Sequence, residues 1–279
     1  WGLGQLLGRL RRTPNAADDL WLYRVLDGVR VRALGSMEFQ DDAFVLASRA
    51  HGETGALVDL LTRDHGRILA YVAGGASRKM KPHLQPGSRV LADYRARTTE
   101  HLGSVRLEPV GEGASALFDD PLALQGLTAA AAVAQGALHE REPHPGAFLA
   151  LEALAEALVH REVWPAVFVR YELGLLDALG FGLDLKVCAA TGTTEKLVWV
   201  SPRTGHAVSL EAGLPYADRL LALPGFLVSS RNGLEPGDIG KGFALTGFFL
   251  ERHVFHPMDK PLPEARERLV EKLGAAGLL

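Results

Sequence analysis

Residues 41–108 constrain the fold of this chain more than any other segment, because short apolar runs alternate there with glycine-containing turns. The runs lie at 44–49, 57–62 and 68–73, and the turns between them are Gly52-Glu53-Thr54-Gly55 and residues 63–67. Apolar runs of this length, divided by Gly and Asp turns, predict antiparallel strands rather than helices. Two more strands are predicted at 88–97 and 105–110, joined by a hairpin loop. The segment therefore predicts a small antiparallel barrel.

The predicted barrel is rich in positive charge. Between Arg49 and Arg97 there are nine Lys or Arg residues and four Asp or Glu residues, a local net charge of +5 in a chain whose overall charge is −3. Three of the cations, Arg78, Lys79 and Lys81, fall in one loop after the third strand. A small barrel with a one-sided cationic surface is typical of proteins that bind nucleic acid with little sequence preference.

The order of these residues resembles the amino-terminal domain of the RecO family of bacterial recombination mediators. The amino-terminal part of the resemblance rests on Arg49, Gly52-Glu53-Thr54, Leu60-Leu61-Thr62, Gly66-Arg67 and Gly75-Ala76-Ser77-Arg78-Lys79. It continues in Tyr171-Glu172-Leu173, Leu175-Leu176, Leu179-Gly180-Phe181, Leu245-Thr246-Gly247-Phe248-Phe249-Leu250 and Leu262-Pro263-Glu264-Ala265-Arg266. The resemblance thus covers roughly Met37 to the end of the sequence.

The resemblance implies an α+β fold in which an amino-terminal OB-type barrel precedes a mostly helical carboxy-terminal domain. We expect a basic extension at 1–36, a barrel domain at 37–112 and a helical domain at 113–279. Since Met37 directly precedes the RecO-like region, we interpret the extension as an upstream translated segment or a start-site artefact. A transit peptide is the alternative, but three Asp residues argue against it.

Beyond residue 113 the apolar spacing changes to a helical period. Helices are predicted at 122–138 with Pro121 in the first turn, at 148–158, and from Pro165 to a stop at Gly180. Residues 183–223 lack this period and predict a hairpin of 197–200 with 206–209, while helices near 242–253 and 264–273 follow. From Glu100 to His160 the local net charge is −7. This half should repel phosphate, and we expect it to support the barrel or to contact a protein partner.

Segment 183–223 also bears on metal binding. Many RecO-like proteins carry four cysteines there, arranged as a zinc ribbon, whereas this chain has only Cys188. Thr191 occupies the second position of the Cys-x-x-Cys pair, and His206 alone cannot complete the four N or S ligands of structural zinc. We therefore expect a zinc-ribbon-like insert without metal, no cofactor, and Cys188 as a small buried residue. A single cysteine also fits a reducing compartment.

For contact with DNA we expect the loop residues Arg78, Lys79, Lys81 and His83, with Arg49, Arg67 and Arg95 as weaker additions. Each member of the second group has an alternative role as a cation that covers its own strand. Tyr71 is the central-strand aromatic residue nearest to them. Such aromatic residues are more often part of the core than a base-stacking platform, so we expect Tyr71 in the core.

The resemblance implies a protein that binds single- and double-stranded DNA, anneals complementary strands, and works with RecR to help RecA displace single-strand binding protein. It implies a cytoplasmic, nucleoid-associated location and no membrane partner, and no apolar run approaches the roughly 18 to 20 residues of a membrane span. It further implies a pocket for the acidic tail of single-strand binding protein. The residues expected there are Arg161, Phe168, Arg170, Leu175 and Lys186.

Two other functional classes stay open at this point. In the first, the barrel is structural and the acidic helical half is the working surface of a protein-interaction scaffold. Convergence of Arg78, Lys79 and Lys81 on one face with Arg67 and Arg95 would favour DNA binding, and scattered cations would favour the scaffold. The second class is an enzyme, but the hydrolase motifs Gly-x-Ser-x-Gly and His-Glu-x-x-His are absent from the sequence. We therefore expect no catalytic residues.

Overall fold

The amino-terminal half of the computed structural model is a closed five-stranded barrel. The structure describes residues 37–98, 101–111, 117, 119–229 and 232–279, so the expectations for residues 1–36 lie outside it. The strands are β1 (Met37–His51), β2 (Gly55–Thr62), β3 (Gly66–Val72), β4 (Arg89–Ala96) and β5 (Gly103–Pro109). They close in the order β1-β2-β3-β5-β4, with β3 and β5 parallel and the other neighbours antiparallel. The predicted OB-like barrel is confirmed.

Side chains alternate between the inside and the outside of the barrel, as the pleat of a strand requires. On β3, Ile68, Ala70 and Val72 belong to the barrel core. A bulge between Val45 and Ala47 shifts the register of β1 against β2. On this strand Ala43 and Val45 lie in the barrel core, while Phe44 and Leu46 point outward and pack with the helical half. Strand alternation thus lets β1 contribute to two cores.

The carboxy-terminal half is mostly helical and contains one small sheet. Its helices are α1 (Pro121–Ala137), α2 (Pro145–Ala157), α3 (Trp164–Ala178), α4 (Leu210–Gly213), α5 (Gly225–Val228), α6 (Asp238–Leu250) and α7 (Glu264–Ala275). Strands β6 (Leu197–Val200), β7 (Ala207–Ser209) and β8 (Leu221–Ala222) form the sheet in the order β7-β6-β8. Within the part of the chain that the structure describes, none of the helices has the length and apolarity that crossing a membrane would need.

Local signals explain where the long helices begin and end. Asp120 caps α1 because its carboxylate accepts hydrogen bonds from the amides of Leu122 and Ala123, both at 3.1 Å. Gly180 has a φ of 83°, and the amide of Phe181 donates to the carbonyl of Leu176 at 2.8 Å. This left-handed residue ends the helical run, as the sequence predicted, because glycine adopts a positive φ without steric cost.

The predicted hairpin of 197–200 with 206–209 forms as β6 and β7. Next to it, Cys188 is 1% exposed, and its sulfur accepts a hydrogen bond from the amide of Ser209 at 3.2 Å. The thiol also donates to the Ser209 hydroxyl at 3.5 Å. The neighbouring side chains are thus hydroxyls rather than thiols or imidazoles, so they do not fit the zinc of RecO-like ribbons. Among the described residues, no three potential ligands converge on a metal site.

A buried ion pair joins three helices of the carboxy-terminal half. Glu172 on α3 is fully buried and accepts two hydrogen bonds from Arg266 on α7, at 2.6 and 2.9 Å. Thr246 on α6 donates its hydroxyl to the same carboxylate. Gly247 leaves room for the guanidinium, since a Cβ there would lie 3.0 Å from the Arg266 nitrogen. Three of the motifs behind the RecO resemblance therefore meet in one structural network.

Candidate nucleic-acid interface

Several barrel cations are used to hold the two halves of the protein together. Arg63 and Arg89 both contact Glu152 on α2, at 3.5 and 2.8 Å, and both also contact Asp42 on β1, at 3.2 and 3.3 Å. Arg67 contacts Glu140, which follows α1, at 3.6 Å. The excess of acidic side chains in the helical half therefore complements the excess of basic ones in the barrel. The acidic side chains of the helical half thus contact the barrel. Support of the barrel is one of the two roles that we expected for this half, and contact with a protein partner is the other.

Arg67 accordingly does not belong to the nucleic-acid surface that we expected. Its side chain is 17% exposed, and its guanidinium lies 2.8 Å from the Asp59 carboxylate. Burial raises the pKa of Asp59, while hydrogen bonds from Gln135 and Arg67 and the charge of Arg67 oppose that rise. Arg67 also lies at the start of β3, at the opposite end of the strand from the basic loop. The guanidinium is thus committed to a partly buried ion pair.

The basic loop, residues 74–81, has a fixed base and exposed cations. Gly75 packs against β2, where a Cβ would lie 2.6 Å from the Cβ of Ala56, and the amide of Ala76 donates to the carbonyl of Thr54 at 3.0 Å. The side chains of Arg78, Lys79 and Lys81 are exposed. These three form no ion pair with any residue that the structure describes.

The carboxy-terminal end of the basic loop faces the helical half across a groove. Arg78 and Lys81 line this groove of about 500 Å³ together with Leu124 and Thr128 of α1. A single helical turn at Lys81–Leu84 follows, and its Leu84 is 2% exposed in the barrel core. His83, on the same turn, is half-buried. The turn therefore anchors the loop to the barrel and leaves its cations free to contact a phosphate backbone.

A second group of predicted residues lies in one row across the outside of the barrel. The register pairs Arg49 with Leu57, Leu57 with Tyr71, Tyr71 with Ser104, and Ser104 with Arg95. Paired residues on neighbouring strands point to the same face of a sheet. His51 lies two residues after Arg49 on β1 and points to the same face. We call Arg49, His51, Tyr71, Ser104 and Arg95 the open barrel face. Arg95 is 64% exposed and has only a loose contact with Asp93, at 3.6 Å.

Tyr71 is on this outer surface and not in the core, so the interpretation that the sequence favoured was wrong. Its side chain is partly exposed and belongs to neither apolar cluster of the described residues. The signal was present in β3, where Ile68, Ala70 and Val72 alternate with the outward positions. His51 was missed altogether. Its ring lies edge-on to Tyr71 with centroids 6.0 Å apart.

The basic loop and the open barrel face share one end of the barrel. The loop follows β3 directly after Tyr71 and Val72, and its backbone is tied to Thr54, one residue before β2 begins. Arg49, Arg95 and the three loop cations thus lie at the same end of the barrel. The structure places Arg67 at the far end of β3 with its charge paired. Of the five cations whose convergence would favour DNA binding over a scaffold, Arg78, Lys79, Lys81 and Arg95 lie at this end of the barrel and Arg67 does not.

The residues expected to bind a peptide tail are not brought together as one pocket. Phe168 and Leu175 are both 0% exposed, so the expectation that they line an accessible apolar pocket was wrong. Helix α3 is central in its domain, and both of these side chains face other helices. Arg170 donates to the carbonyl of Phe226. Arg161 is 73% exposed beside Asp120, and Lys186 is exposed beyond the end of α3.

Comparison with known proteins agrees with both halves of this fold. The family model described as Recombination protein O N terminal matches residues 37–111, and Recombination protein O C terminal matches residues 119–261. A protein of Phenylobacterium zucineum named DNA repair protein RecO is 69% identical over 243 residues, which cover 87% of this chain and all of that protein.

Proteins of the same name from two other bacteria are also similar. The one from Caulobacter vibrioides is 61% identical over 244 residues, 88% of this chain and 98% of that protein. The one from Rhodospirillum centenum is 53% identical over 239 residues, 85% of this chain and 94% of that protein. The two family models span the barrel and most of the helical half, and the relatives match almost over their full length. The chain therefore belongs to the RecO family of DNA repair proteins.

Proposed function

We propose that this protein is a DNA-binding recombination mediator of the RecF pathway. It binds single- and double-stranded DNA, anneals complementary strands, and assists the loading of RecA together with RecR. DNA repair is the function that its relatives' name states. The finer activities follow from the family resemblance and from the charge of the barrel. Binding to chromosomal DNA would also account for the nucleoid association expected from the sequence.

One observation carries the proposal: three loop cations without an ion pair among the described residues lie at one end of the barrel, while Arg63, Arg67 and Arg89 are paired at the interdomain contact. Arg78, Lys79 and Lys81 are exposed there, and Arg49 and Arg95 are exposed at the same end of the barrel. Ion pairs with the helical half occupy Arg63, Arg67 and Arg89, so these three contribute little to the positive charge that remains available for DNA. A one-sided cationic surface on a small barrel suits a phosphate backbone of any sequence.

Annealing requires no covalent chemistry, so the proposal assigns no catalytic residue. Two complementary strands repel each other through their phosphates, and a cationic surface lowers this repulsion by replacing their counterions. Contacts to phosphates carry no sequence information and leave the base edges free to pair. Exposed Lys and Arg side chains on a loop with an anchored base can supply such contacts to more than one strand.

The scaffold hypothesis receives less support. It requires the acidic helical half to be the working surface, whereas Glu140 and Glu152 of that half are engaged by barrel arginines. The two partner proteins nevertheless stay part of the proposal by resemblance. These are RecR and the acidic tail of single-strand binding protein. For the tail, the exposed Arg161 and Lys186 remain candidates, but the apolar component is not Phe168 or Leu175.

The loop cations provide the decisive experiment. In the full chain, Arg78, Lys79 and Lys81 are all replaced by Glu, and the affinity for a DNA duplex is measured over a range of salt concentrations. Each lost phosphate contact should reduce the slope of log affinity against log salt by about 0.9 on duplex, hence by about three in total. Annealing of complementary oligonucleotides should fall with binding, because both depend on the same phosphate contacts.

A matched control changes the net charge equally at a distance from the barrel. Replacing Arg203, Lys260 and Lys272 by Glu also converts one Arg and two Lys, all exposed, in the helical half. This control should keep most of the parent's salt slope and annealing rate. If the loop variant folds but binds and anneals like the parent, the basic loop is not the DNA site. The scaffold hypothesis would then be preferred.

A further inference from the structure

The open barrel face carries an aromatic pair as well as cations. Tyr71 and His51 both point outward, and their rings meet edge-on at a centroid distance of 6.0 Å and an interplanar angle of 76°. Neither ring is required by the barrel core, which is filled by other side chains. Exposed aromatic rings within a cationic surface are the means by which barrel proteins stack unpaired bases.

Gly55 holds the Tyr71 ring against the sheet. A Cβ at this position would lie 2.6 Å from Cζ of Tyr71, so the hydroxyl end of the ring covers the glycine backbone. The register explains this arrangement, because Tyr71 pairs with Leu57 and therefore lies diagonal to Gly55 across the strand pair. His51 pairs directly with Gly55 and reaches the ring from the other side of β2. The ring is thus held in position by its neighbours.

Two cations flank the ring in the same row. Arg49 lies two strands away on β1, and Arg95 lies two strands away in the other direction on β4. At a strand spacing of about 4.8 Å, each arginine backbone is about 10 Å from that of Tyr71. Long arginine side chains can reach the phosphates on either side of a base that rests on the ring.

We propose that Tyr71, positioned by Gly55 and His51, is a stacking platform for an unpaired DNA base, and that it makes the open barrel face selective for single strands. This inference rests on the proposed DNA-binding function and adds a strand preference to it. In a duplex both faces of each base are covered by neighbouring bases, so Tyr71 has nothing to stack on. Arg49, Arg95 and the basic loop serve both kinds of DNA, because they contact phosphates.

The test compares Tyr71→Leu with Tyr71→Phe in the full chain. The probes are a fluorescent oligothymidylate and a duplex of equal length. Tyr71→Leu should weaken binding to the single strand by at least about fivefold, because stacking on one ring contributes about 1–3 kcal/mol per base. Binding to the duplex and both salt slopes should stay unchanged. Tyr71→Phe keeps the ring and should bind like the parent.

A second variant moves the ring without removing it. Gly55→Ala places a methyl group where the end of the Tyr71 ring lies. It should therefore show the same selective loss for the single strand. Circular dichroism and the thermal midpoint of each variant establish that the barrel is folded. The inference is overturned if Tyr71→Leu leaves the affinity for oligothymidylate unchanged. It is also overturned if the variant loses affinity equally for the single strand and the duplex.

These outcomes are distinct from failure of the proposed function. If the parent binds neither probe, DNA binding itself is refuted. If reversal of the loop cations abolishes binding to both probes while Tyr71→Leu changes neither affinity, DNA binding stands and the stacking platform alone is refuted.

Discussion

Replacement of Arg266 by methionine should strongly destabilise the helical half. The substitution removes the positive charge that faces Glu172 and retains an apolar side chain of similar length. Glu172 is 0% exposed, and Arg266 donates to both of its carboxylate oxygens, at 2.6 and 2.9 Å. After the substitution, the Thr246 hydroxyl would be the one hydrogen-bond donor left to the Glu172 carboxylate among the described side chains. The carboxylate would then be buried without a counter-charge.

The expected cost can be estimated from these contacts. Breaking a buried ion pair by removing one partner costs about 3–5 kcal/mol, since the other charge stays buried. Two charge-assisted hydrogen bonds at about 1.5–3 kcal/mol each lead to a similar total. Set against a typical unfolding free energy of about 5–15 kcal/mol, this loss is a large fraction of the stability.

Urea unfolding followed by tryptophan fluorescence measures this effect, because Trp164 is fully buried in the same domain. Arg268→Met is the matched control, since Arg268 lies two residues further along α7 and is exposed. It should change the unfolding free energy by no more than about 0.5 kcal/mol. The double variant Glu172→Leu with Arg266→Met removes both charges and should recover most of the loss.

The urea midpoints report a difference in stability only between variants whose unfolding free energy falls with urea at the same slope. A loss below about 1 kcal/mol for Arg266→Met would refute the reasoning, because that is the cost of an exposed or unimportant contact. A double variant as unstable as the single one would also contradict it. The instability would then arise from packing and not from the stranded charge.

Three further predictions concern the interdomain contact, the metal and the extension. Burial raises the pKa of Asp59 above its ordinary value of 3.8. The folded state therefore binds a proton at this carboxyl more tightly than the unfolded state does, and the protein loses stability as the pH rises from 3.8 through the raised pKa. The Asp59→Asn variant cannot ionise there and does not lose this stability. The difference in urea midpoint between the parent and the less stable variant should therefore shrink as the pH rises through this range, and a difference that grows would contradict a raised pKa for Asp59. Metal analysis of the purified protein should find no stoichiometric zinc, and about one zinc per chain that is lost on Cys188→Ala would overturn this expectation. The fragment 37–279 should keep the unfolding midpoint and the DNA salt slope of the full chain, because the family match begins at residue 37; a large drop in the midpoint would make the extension structural.

Much of the fold was predictable because its signals are local. Strand alternation and glycine turns define β1 to β5, and Pro121 and Gly180 mark a helix start and a helix end. These signals act through backbone dihedral angles and neighbouring side chains, which a short window of sequence contains. The burial of Cys188 was also predictable from the sequence. The other ligands of a zinc site are missing there, and a cysteine without a metal is usually a small buried side chain.

Parts of the candidate site depended on distant residues. Helical spacing identifies an apolar face, but it does not tell whether that face is already covered by other helices, as it is for α3. Phe168 and Leu175 therefore appeared available for a partner although they lie in the core. Tyr71 is a different case, because the alternation of β3 already placed it outside. There a general preference of aromatic residues for the core was given more weight than the local pattern.

The sequence by itself determined that this protein has a cationic OB-like barrel followed by an acidic helical half, because strand period, helix period and charge are properties of short segments. Only the tertiary structure decided which cations are free to meet DNA. Arg67 is separated by 73 residues from Glu140, its partner at 3.6 Å, whereas Arg78 and its neighbours find no such acid among the described residues. Ion pairing depends on distances across the interdomain contact, and those distances exist only once the chain has folded.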